Sequence, residues 1–316
     1  MATTSDPQLQ ALLEQMARTP RPKIYEIDVA TAREGVRQMI RALDSREVPI
    51  GRVEAIRVAG AEGQLPARVY TPIAAGANGV PVLIFFHGGG WVLGDLDTYD
   101  TLCRGLAAAA GCKVVSVDYR LAPEHPFPAA IEDAYAAVKW VEANAPAIGV
   151  DANKIAIGGD SAGGNISAVV CQMARQKNGP AIDFQLLLYP ATQLRAKTES
   201  RQKFIDDPVL DLDTMRWFEH HYLGDEPSET DPRVSPLIAP SLAGLPPAYV
   251  LTAGLDPMRD EGRMYAERLS AEGVPTQYVC YEDMIHGFLT MSGVLDTARL
   301  AIEDIGKALA AAFAAA

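Results

Sequence analysis

The chain has 316 residues, of which 48% are hydrophobic and 22% charged, and its acidic residues outnumber the basic ones by 40 to 28. This length and apolar content can form a large buried core. The acidic excess argues against nucleic-acid binding, which requires clustered Lys and Arg. The first residues lack a basic stretch followed by an apolar one, and no window has the length of a membrane span. We therefore expect a cytoplasmic protein without a membrane span.

The first part of the chain predicts two helices and then two strands. Apolar residues recur at helical spacing within residues 6–18 and 28–43. Alternating apolar residues around 53–58 and 65–69 predict an antiparallel strand pair. Strand and helix patterns alternate after this point. The sequence therefore predicts a mostly parallel, doubly wound α/β sheet with antiparallel strands at its N-terminal edge.

A glycine cluster follows the first fully apolar run. Residues 80–86 are continuously apolar apart from Pro81, as expected of a strand buried on both faces, and they lead into His87-Gly-Gly-Gly-Trp91. Glycines permit unusual backbone dihedrals and can point N–H groups toward a neighbouring site. The cluster therefore predicts a loop that stabilises an oxyanion. The next predicted elements are a strand at 112–117 and a helix at 129–144.

A serine between glycines follows the next apolar strand. The segment Gly159-Asp-Ser-Ala-Gly163 has the spacing of a nucleophile elbow, in which a sharp strand-to-helix turn exposes the hydroxyl of Ser161. The helix predicted at 165–177 directs backbone N–H groups toward an anion formed beside this hydroxyl. In isolation the motif is equally compatible with a glycine-rich strand cap. The other segments decide between these interpretations.

Segment 191–240 interrupts the regular alternation. It is charged, rich in proline and too long for an ordinary loop, so we expect helices that cover one edge of the sheet. Its aromatic residues are candidates for the walls of an acyl or alcohol pocket, together with the tryptophan of the glycine cluster. An alternative that stays open is that they only pack this segment against the rest of the protein. These pocket candidates are Trp91, Phe204, Trp217, Phe218 and Tyr222.

Acyl transfer by a serine requires a base, an acid that orients the base, and N–H donors for the oxyanion. In chains with a nucleophile elbow these residues follow the order Ser, acid, His. His286 is the histidine that follows both Ser161 and an acid at a strand end. Asp256 directly follows the strand predicted at 248–252 and is the preferred acid. Asp260, one turn into the next helix, is the main competitor.

Neither a metal nor an organic cofactor is predicted. The sequence contains no H-E-x-x-H motif and no carboxylate cluster at calcium-binding spacing. Residues 159–164 have the glycine spacing of a P-loop, but Asn165 and Ile166 replace the required Lys and Ser/Thr. The four cysteines are scattered among apolar residues and are expected to be reduced.

Five motifs together resemble the bacterial hormone-sensitive-lipase-like esterases, also called family IV. They lie at 87–90, 118–125, 159–164, 256–260 and 286–288. The resemblance implies an α/β-hydrolase fold with a helical cap. By this resemblance the catalytic domain comprises residues 51–190 and 241–316, and the cap combines 1–50 with the insertion 191–240.

The resemblance also implies roles for individual residues. Ser161 becomes the nucleophile, Asp256 the acid and His286 the base. The backbone N–H groups of the oxyanion hole are then supplied by Gly88, Gly89 and Ala162. Members of this family hydrolyse carboxylic esters of short to medium acyl chains through an acyl-enzyme, without a cofactor.

Two further expectations follow. Some relatives of the family are non-catalytic small-molecule receptors on the same scaffold, and this is the alternative to a serine carboxylesterase. Because such receptors commonly lack part of the triad, the complete set in this chain favours the enzyme. The closing helix carries more apolar residues than one face requires, and members of the family often dimerise through this region. A homodimer is therefore one expectation, and the alternative that stays open is that the same residues pack against the sheet.

Overall fold

The computed structural model describes residues 4–19, 22–44, 48–76, 78–224 and 230–316. Parts of the predicted cap, in 1–50 and 191–240, lie outside these ranges. The described strands are β1 (Arg52–Gly60), β2 (Gly63–Thr71), β3 (Val80–Phe86), β4 (Lys113–Val117), β5 (Val150–Asp160), β6 (Phe184–Leu188), β7 (Ala248–Ala253) and β8 (Thr276–Tyr281).

The described α-helices lie before, between and after these strands. They are α1 (Pro7–Arg18), α2 (Val29–Leu43), α3 (Asp100–Ala110), α4 (Ala129–Ala143), α5 (Ala162–Gln176), α6 (Glu199–Lys203), α7 (Leu212–Leu223), α8 (Arg259–Ala271) and α9 (Asp296–Ala315). Asp6 and Asp28 cap the first two helices, because their carboxylates accept N–H groups of the first turn.

The eight strands form one sheet in the order β1-β2-β4-β3-β5-β6-β7-β8. The β1–β2 and β2–β4 pairs are antiparallel, whereas all later pairs are parallel. Parallel pairs require crossover connections, and the intervening helices supply them. The predicted mostly parallel sheet with an antiparallel N-terminal edge is therefore confirmed.

The core lies in two layers, one on each face of the sheet. Strand β3 illustrates the division, because side chains alternate between the faces of a strand. Val82, Ile84 and Phe86 pack with residues of α4, α5 and α8, while Leu83 and Phe85 pack with α1, α3 and α9. All five of these side chains are fully buried. The continuous apolar run is thus explained by helices that cover both faces.

Two helices differ from the sequence-based expectation. Helix α3 was not predicted, although its Leu102, Cys103 and Leu106 are buried against the sheet. Helix α5 begins at Ala162, three residues before the predicted start at 165. The first turn contains Gly163 and Gly164, which have low helix propensity. Close packing of the elbow on β3 fixes the backbone there and outweighs that propensity.

Helix α2 and helix α7 both lie over the loop that follows β3. Arg33 of α2 donates to the carbonyl oxygens of Val92 and Ala122 and pairs with Glu124 at 2.7 Å. Trp217 and Phe218 of α7 join the apolar cluster that contains Val92. This placement agrees with the predicted helical cap, whose boundaries stay a proposal. Within the described ranges, no helix has the length and apolar character needed to cross a membrane.

Candidate active site

The turn between β5 and α5 places Ser161 in a strained conformation. Its φ is +54° and its ψ is −115°, a region that residues with a Cβ rarely adopt. The glycines on both sides have a steric cause, because a Cβ at Gly159 or Gly163 would overlap the carbonyl oxygen of Phe86 at the end of β3. The motif spacing thus reflects the close approach of the turn to the neighbouring strand.

A continuous chain of hydrogen bonds links three of the predicted site residues. Ser161 Oγ lies 2.9 Å from His286 Nε2, and His286 Nδ1 lies 2.7 Å from Asp256 Oδ2. Asp256 is fully buried and His286 is 6% exposed, so both partners are shielded from water. The Tyr189 ring packs edge-to-face with the imidazole at a centroid distance of 5.0 Å. The imidazole is therefore held between a hydroxyl and a carboxylate.

Asp256 and His286 come from loops that follow neighbouring strands, β7 and β8. A Cβ at Gly254 would overlap the backbone of Glu282, so glycine allows the two loops to approach closely. The second oxygen of Asp256, Oδ1, accepts the N–H of Met258 at 2.7 Å, which fixes the carboxylate plane. The orientation of this acid therefore depends on the backbone of its own turn.

Asp260, the competing candidate for the acid, has different hydrogen-bond partners from Asp256. Its Oδ2 accepts the N–H of Ser200 at 2.8 Å, and its Oδ1 pairs with the Arg259 guanidinium at 2.9 Å. Asp260 therefore ties α8 to α6, whereas Asp256 contacts His286.

The electrostatic surroundings of His286 favour its protonated form. Burial lowers the pKa of this imidazole, but the charge of Asp256 and its hydrogen bond raise it, as do the charges of Asp207 and Asp160. The raising effects prevail, so the pKa of His286 lies above its ordinary value. Such an imidazole is well suited to hold a proton taken from a hydroxyl.

The loop after β3 offers backbone N–H groups near Ser161. The N–H of Gly88, one of the predicted oxyanion donors, already donates to Asp160 Oδ1 at 2.7 Å. Among the described residues, the N–H groups of Gly89, Gly90 and Ala162 have no hydrogen-bond acceptor. Gly89 and Gly90 have φ values of +104° and +60°, which glycine adopts without strain.

The predicted pocket residues have different surroundings. Tyr222 is fully buried and its ring stacks on Trp91 at 4.2 Å, so this pair mainly joins α7 to the glycine loop. Phe204 is also buried and lies beneath the Arg259 guanidinium. Phe218 is half-buried and lies where a Cβ of Gly90 would be. Phe218 thus packs directly against Gly90 of the glycine loop, and Trp217, also half-buried, lies against Phe218 with ring centroids 5.3 Å apart.

Sequence reasoning did not single out the residues that hold the glycine loop from beneath. Asp160 binds the Gly88 N–H, Tyr99 donates to Asp160 Oδ2 at 3.1 Å, and Tyr119 donates to the carbonyl oxygen of His87 at 2.7 Å. Because Asp160 lies within the serine motif, its position next to the nucleophile was the sequence feature that could have indicated this role. In the part of the chain that the structure describes, no cluster of three metal-ligating side chains occurs.

Comparisons with known proteins identify the family. A family profile described as the α/β-hydrolase fold matches residues 83–290. Carboxylic ester hydrolase LipN of Mycobacterium tuberculosis is 43% identical over 301 residues, covering 91% of this chain and 78% of LipN. Carboxylesterase NlhH of the same species is 44% identical over 260 residues, covering 81% of this chain and 80% of NlhH.

Solved structures give the same result. An ester hydrolase from the metagenome of Lake Arreo, complexed with a bipyridine phosphonate derivative, has a TM-score of 0.95 and 41% identity, with 98% of this chain and 99% of that chain covered. The esterase of Pyrobaculum calidifontis has a TM-score of 0.90 and 41% identity, with coverages of 97% and 98%.

These findings confirm the predicted fold class and the predicted family of ester hydrolases. The predicted homodimer, cytoplasmic location and lack of nucleic-acid binding are not tested by them and stay predictions. The match of 83–290 to the family profile and the extensive identity to curated esterases show that this chain belongs to the hormone-sensitive-lipase-like family of α/β-hydrolase esterases.

Proposed function

We propose that this protein is a serine carboxylesterase that hydrolyses short- to medium-chain esters through an acyl-enzyme intermediate. The observation that carries the proposal is the chain of hydrogen bonds from Ser161 Oγ through His286 to the buried carboxylate of Asp256. This geometry supplies the nucleophile, the general base and the group that orients the base. In this proposal the cap over the site is formed by two segments, residues 1–50 and residues 191–240.

The reaction begins when Ser161 Oγ attacks the ester carbonyl carbon while His286 Nε2 takes its proton. Asp256 accepts the Nδ1–H of His286 and stabilises the imidazolium that forms. The negative charge that develops on the carbonyl oxygen is placed near N–H groups of the glycine loop and of the first turn of α5. We assign this role to Gly89, Gly90 and Ala162, because the Gly88 N–H already has an acceptor.

Collapse of the tetrahedral intermediate breaks the bond to the alcohol, which receives the proton from His286. The acyl group stays on Ser161. A water molecule then gives a proton to His286 and attacks the acyl carbon, and a second collapse releases the carboxylic acid and returns the proton to Ser161. Both half-reactions use the same base and the same N–H donors, so the ester and water are the only reactants that the mechanism requires.

A kinetic screen of p-nitrophenyl esters of increasing acyl length tests the function and the pocket. The wild-type protein is expected to hydrolyse esters of short to medium acyl chains. Phe218→Ala is expected to change the ratio of kcat/KM between long-chain and short-chain esters by about tenfold, since each substrate methylene contributes about 1–3 kcal/mol in an apolar pocket. Tyr135→Ala, a half-buried aromatic change on α4, is the matched control. Ester binding without turnover by wild-type protein would favour the receptor alternative.

The pH dependence of kcat/KM should report the protonation of His286. Neutral His286 is the active form, so activity is complete at mildly alkaline pH and is lost as pH falls through a pKa that lies above the ordinary value of about 6.5. Asp207→Asn should move this acid limb to lower pH, because the charge of Asp207 raises the pKa of His286. A rate that stays flat to about pH 4, with the protein folded, would exclude His286 as the base.

A further inference from the structure

Asp160, the residue before the nucleophile, has a carboxylate that does not belong to the hydrogen-bond chain of Ser161. It is 2% exposed, and its two oxygens receive different donors. Oδ1 accepts the N–H of Gly88 at 2.7 Å, and Oδ2 accepts the hydroxyl of Tyr99 at 3.1 Å. The carboxylate thus joins the turn that carries the nucleophile to the loop that carries the N–H donors.

The contact between this carboxylate and the loop is close. A Cβ at Gly88 would lie 2.5 Å from Asp160 Oδ2, so glycine is required for the loop to reach the carboxylate. The ring of His87 is stacked between Tyr99 and Tyr119, at centroid distances of 5.3 and 4.5 Å. The start of the loop is therefore fixed from beneath, and the next two residues, Gly89 and Gly90, extend from this fixed point.

The donor set explains why a carboxylate occupies this position. An ionised carboxylate only accepts hydrogen bonds, and both neighbouring groups are donors. Burial raises the pKa of Asp160 to about 6, and the hydrogen bond from the Gly88 N–H acts in the opposite direction. The ionised form therefore predominates at mildly alkaline pH, where a neutral His286 can act as base. Charge-assisted hydrogen bonds are stronger than neutral ones, which suits a group that must hold a backbone in place.

We propose that Asp160 is a positioning residue of the esterase reaction, which holds the glycine loop at the distance from Ser161 that its oxyanion donors require. This inference rests on the proposed function and extends it. Asp160 acts through Gly88 and does not itself touch the substrate. Since the oxyanion exists only in the transition state and the tetrahedral intermediates, loss of this support should lower kcat and leave KM nearly unchanged.

The test compares four variants on a short-chain ester, with kcat referred to active sites titrated by an organophosphonate. Asp160→Ala removes the acceptor and is expected to lower kcat by about 100-fold, comparable to the loss of one oxyanion donor. Asp160→Asn keeps an oxygen for the Gly88 N–H and should restore kcat to within about tenfold of wild type. Tyr99→Phe should lower kcat by about fivefold, as expected for one hydrogen bond.

The matched control is Asp183→Ala. Asp183 Oδ2 accepts the N–H of Ile155 at 2.8 Å. Ile155 lies in β5, the strand that ends at Asp160, so this change removes a similar carboxylate-to-backbone hydrogen bond from that strand, several residues before Ser161. It should lower the melting temperature without changing kcat. A boronic acid, whose tetrahedral adduct places an oxygen at the oxyanion position, provides a second readout. Its inhibition constant should rise in Asp160→Ala by the factor by which kcat/KM falls.

Several results would overturn the inference. They are an Asp160→Ala variant with kcat within about threefold of wild type, a loss confined to KM, or an Asp160→Asn variant as impaired as Asp160→Ala. If Asp160→Ala does not fold, an unchanged kcat in Tyr99→Phe counts against it. These outcomes leave the proposed function intact provided that the wild type hydrolyses esters, whereas absence of turnover by wild type would refute the proposed function itself.

Discussion

Replacing Ser161 by alanine is expected to lower kcat for ester hydrolysis by about 10⁴–10⁶-fold, because in the proposed mechanism Ser161 is the nucleophile that forms the acyl-enzyme. Its hydroxyl is hydrogen-bonded to His286 Nε2, and removing it leaves that nitrogen free to bind water. The side chain is half-buried, and alanine keeps its Cβ, so the packing of the turn is preserved. The free energy of unfolding should therefore change little.

The measurement is kcat of purified Ser161→Ala, with the fold checked by circular dichroism and thermal melting. Ser116→Ala is the matched control, since this serine is buried in β4, away from the elbow. Mass spectrometry after treatment with an organophosphonate should locate the adduct on Ser161 in the wild type. A folded Ser161→Ala variant with near-normal turnover would refute the mechanism.

Asp256→Asn is expected to lower kcat by about 10²–10⁴-fold, with little loss of stability. The N–H of Met258 donates to Asp256 Oδ1 at 2.7 Å, so asparagine would keep its oxygen toward Met258 and present its amide N–H₂ to His286. A donor facing Nδ1 favours the imidazole tautomer that carries its proton on Nε2. That nitrogen could then no longer accept the proton of Ser161.

Asp260→Asn is the matched control for this substitution. It changes an acid four residues away that is bonded to Ser200 and Arg259 rather than to His286. We expect a lower melting temperature, because a buried charge-assisted contact is weakened, and kcat within about threefold of wild type. The decisive measurement is kcat of both variants on one ester, and the opposite ranking would assign the acid to Asp260.

The sequence was sufficient for the parts of the site that depend on local pattern and chain order. The apolar run at 80–86 predicted β3 correctly. The run is continuous because helices cover both faces of this strand. The glycines around Ser161 marked the sharp turn, and the position of Asp256 after β7 favoured it over Asp260 before any contact was known. Each of these inferences uses a short-range constraint, such as burial of a strand or steric space at one residue.

Other features depended on contacts between distant residues. Gly88 and Asp160 are 72 positions apart, and they meet because β3 and β5 are neighbours in the sheet although β4 lies between them in sequence. Burial of Tyr222 against Trp91 likewise depends on how α7 lies over the glycine loop. Composition and periodicity specify which residues are apolar or conformationally free. Which backbone N–H is already engaged, and which aromatic ring remains near the substrate, is decided by strand order and helix packing.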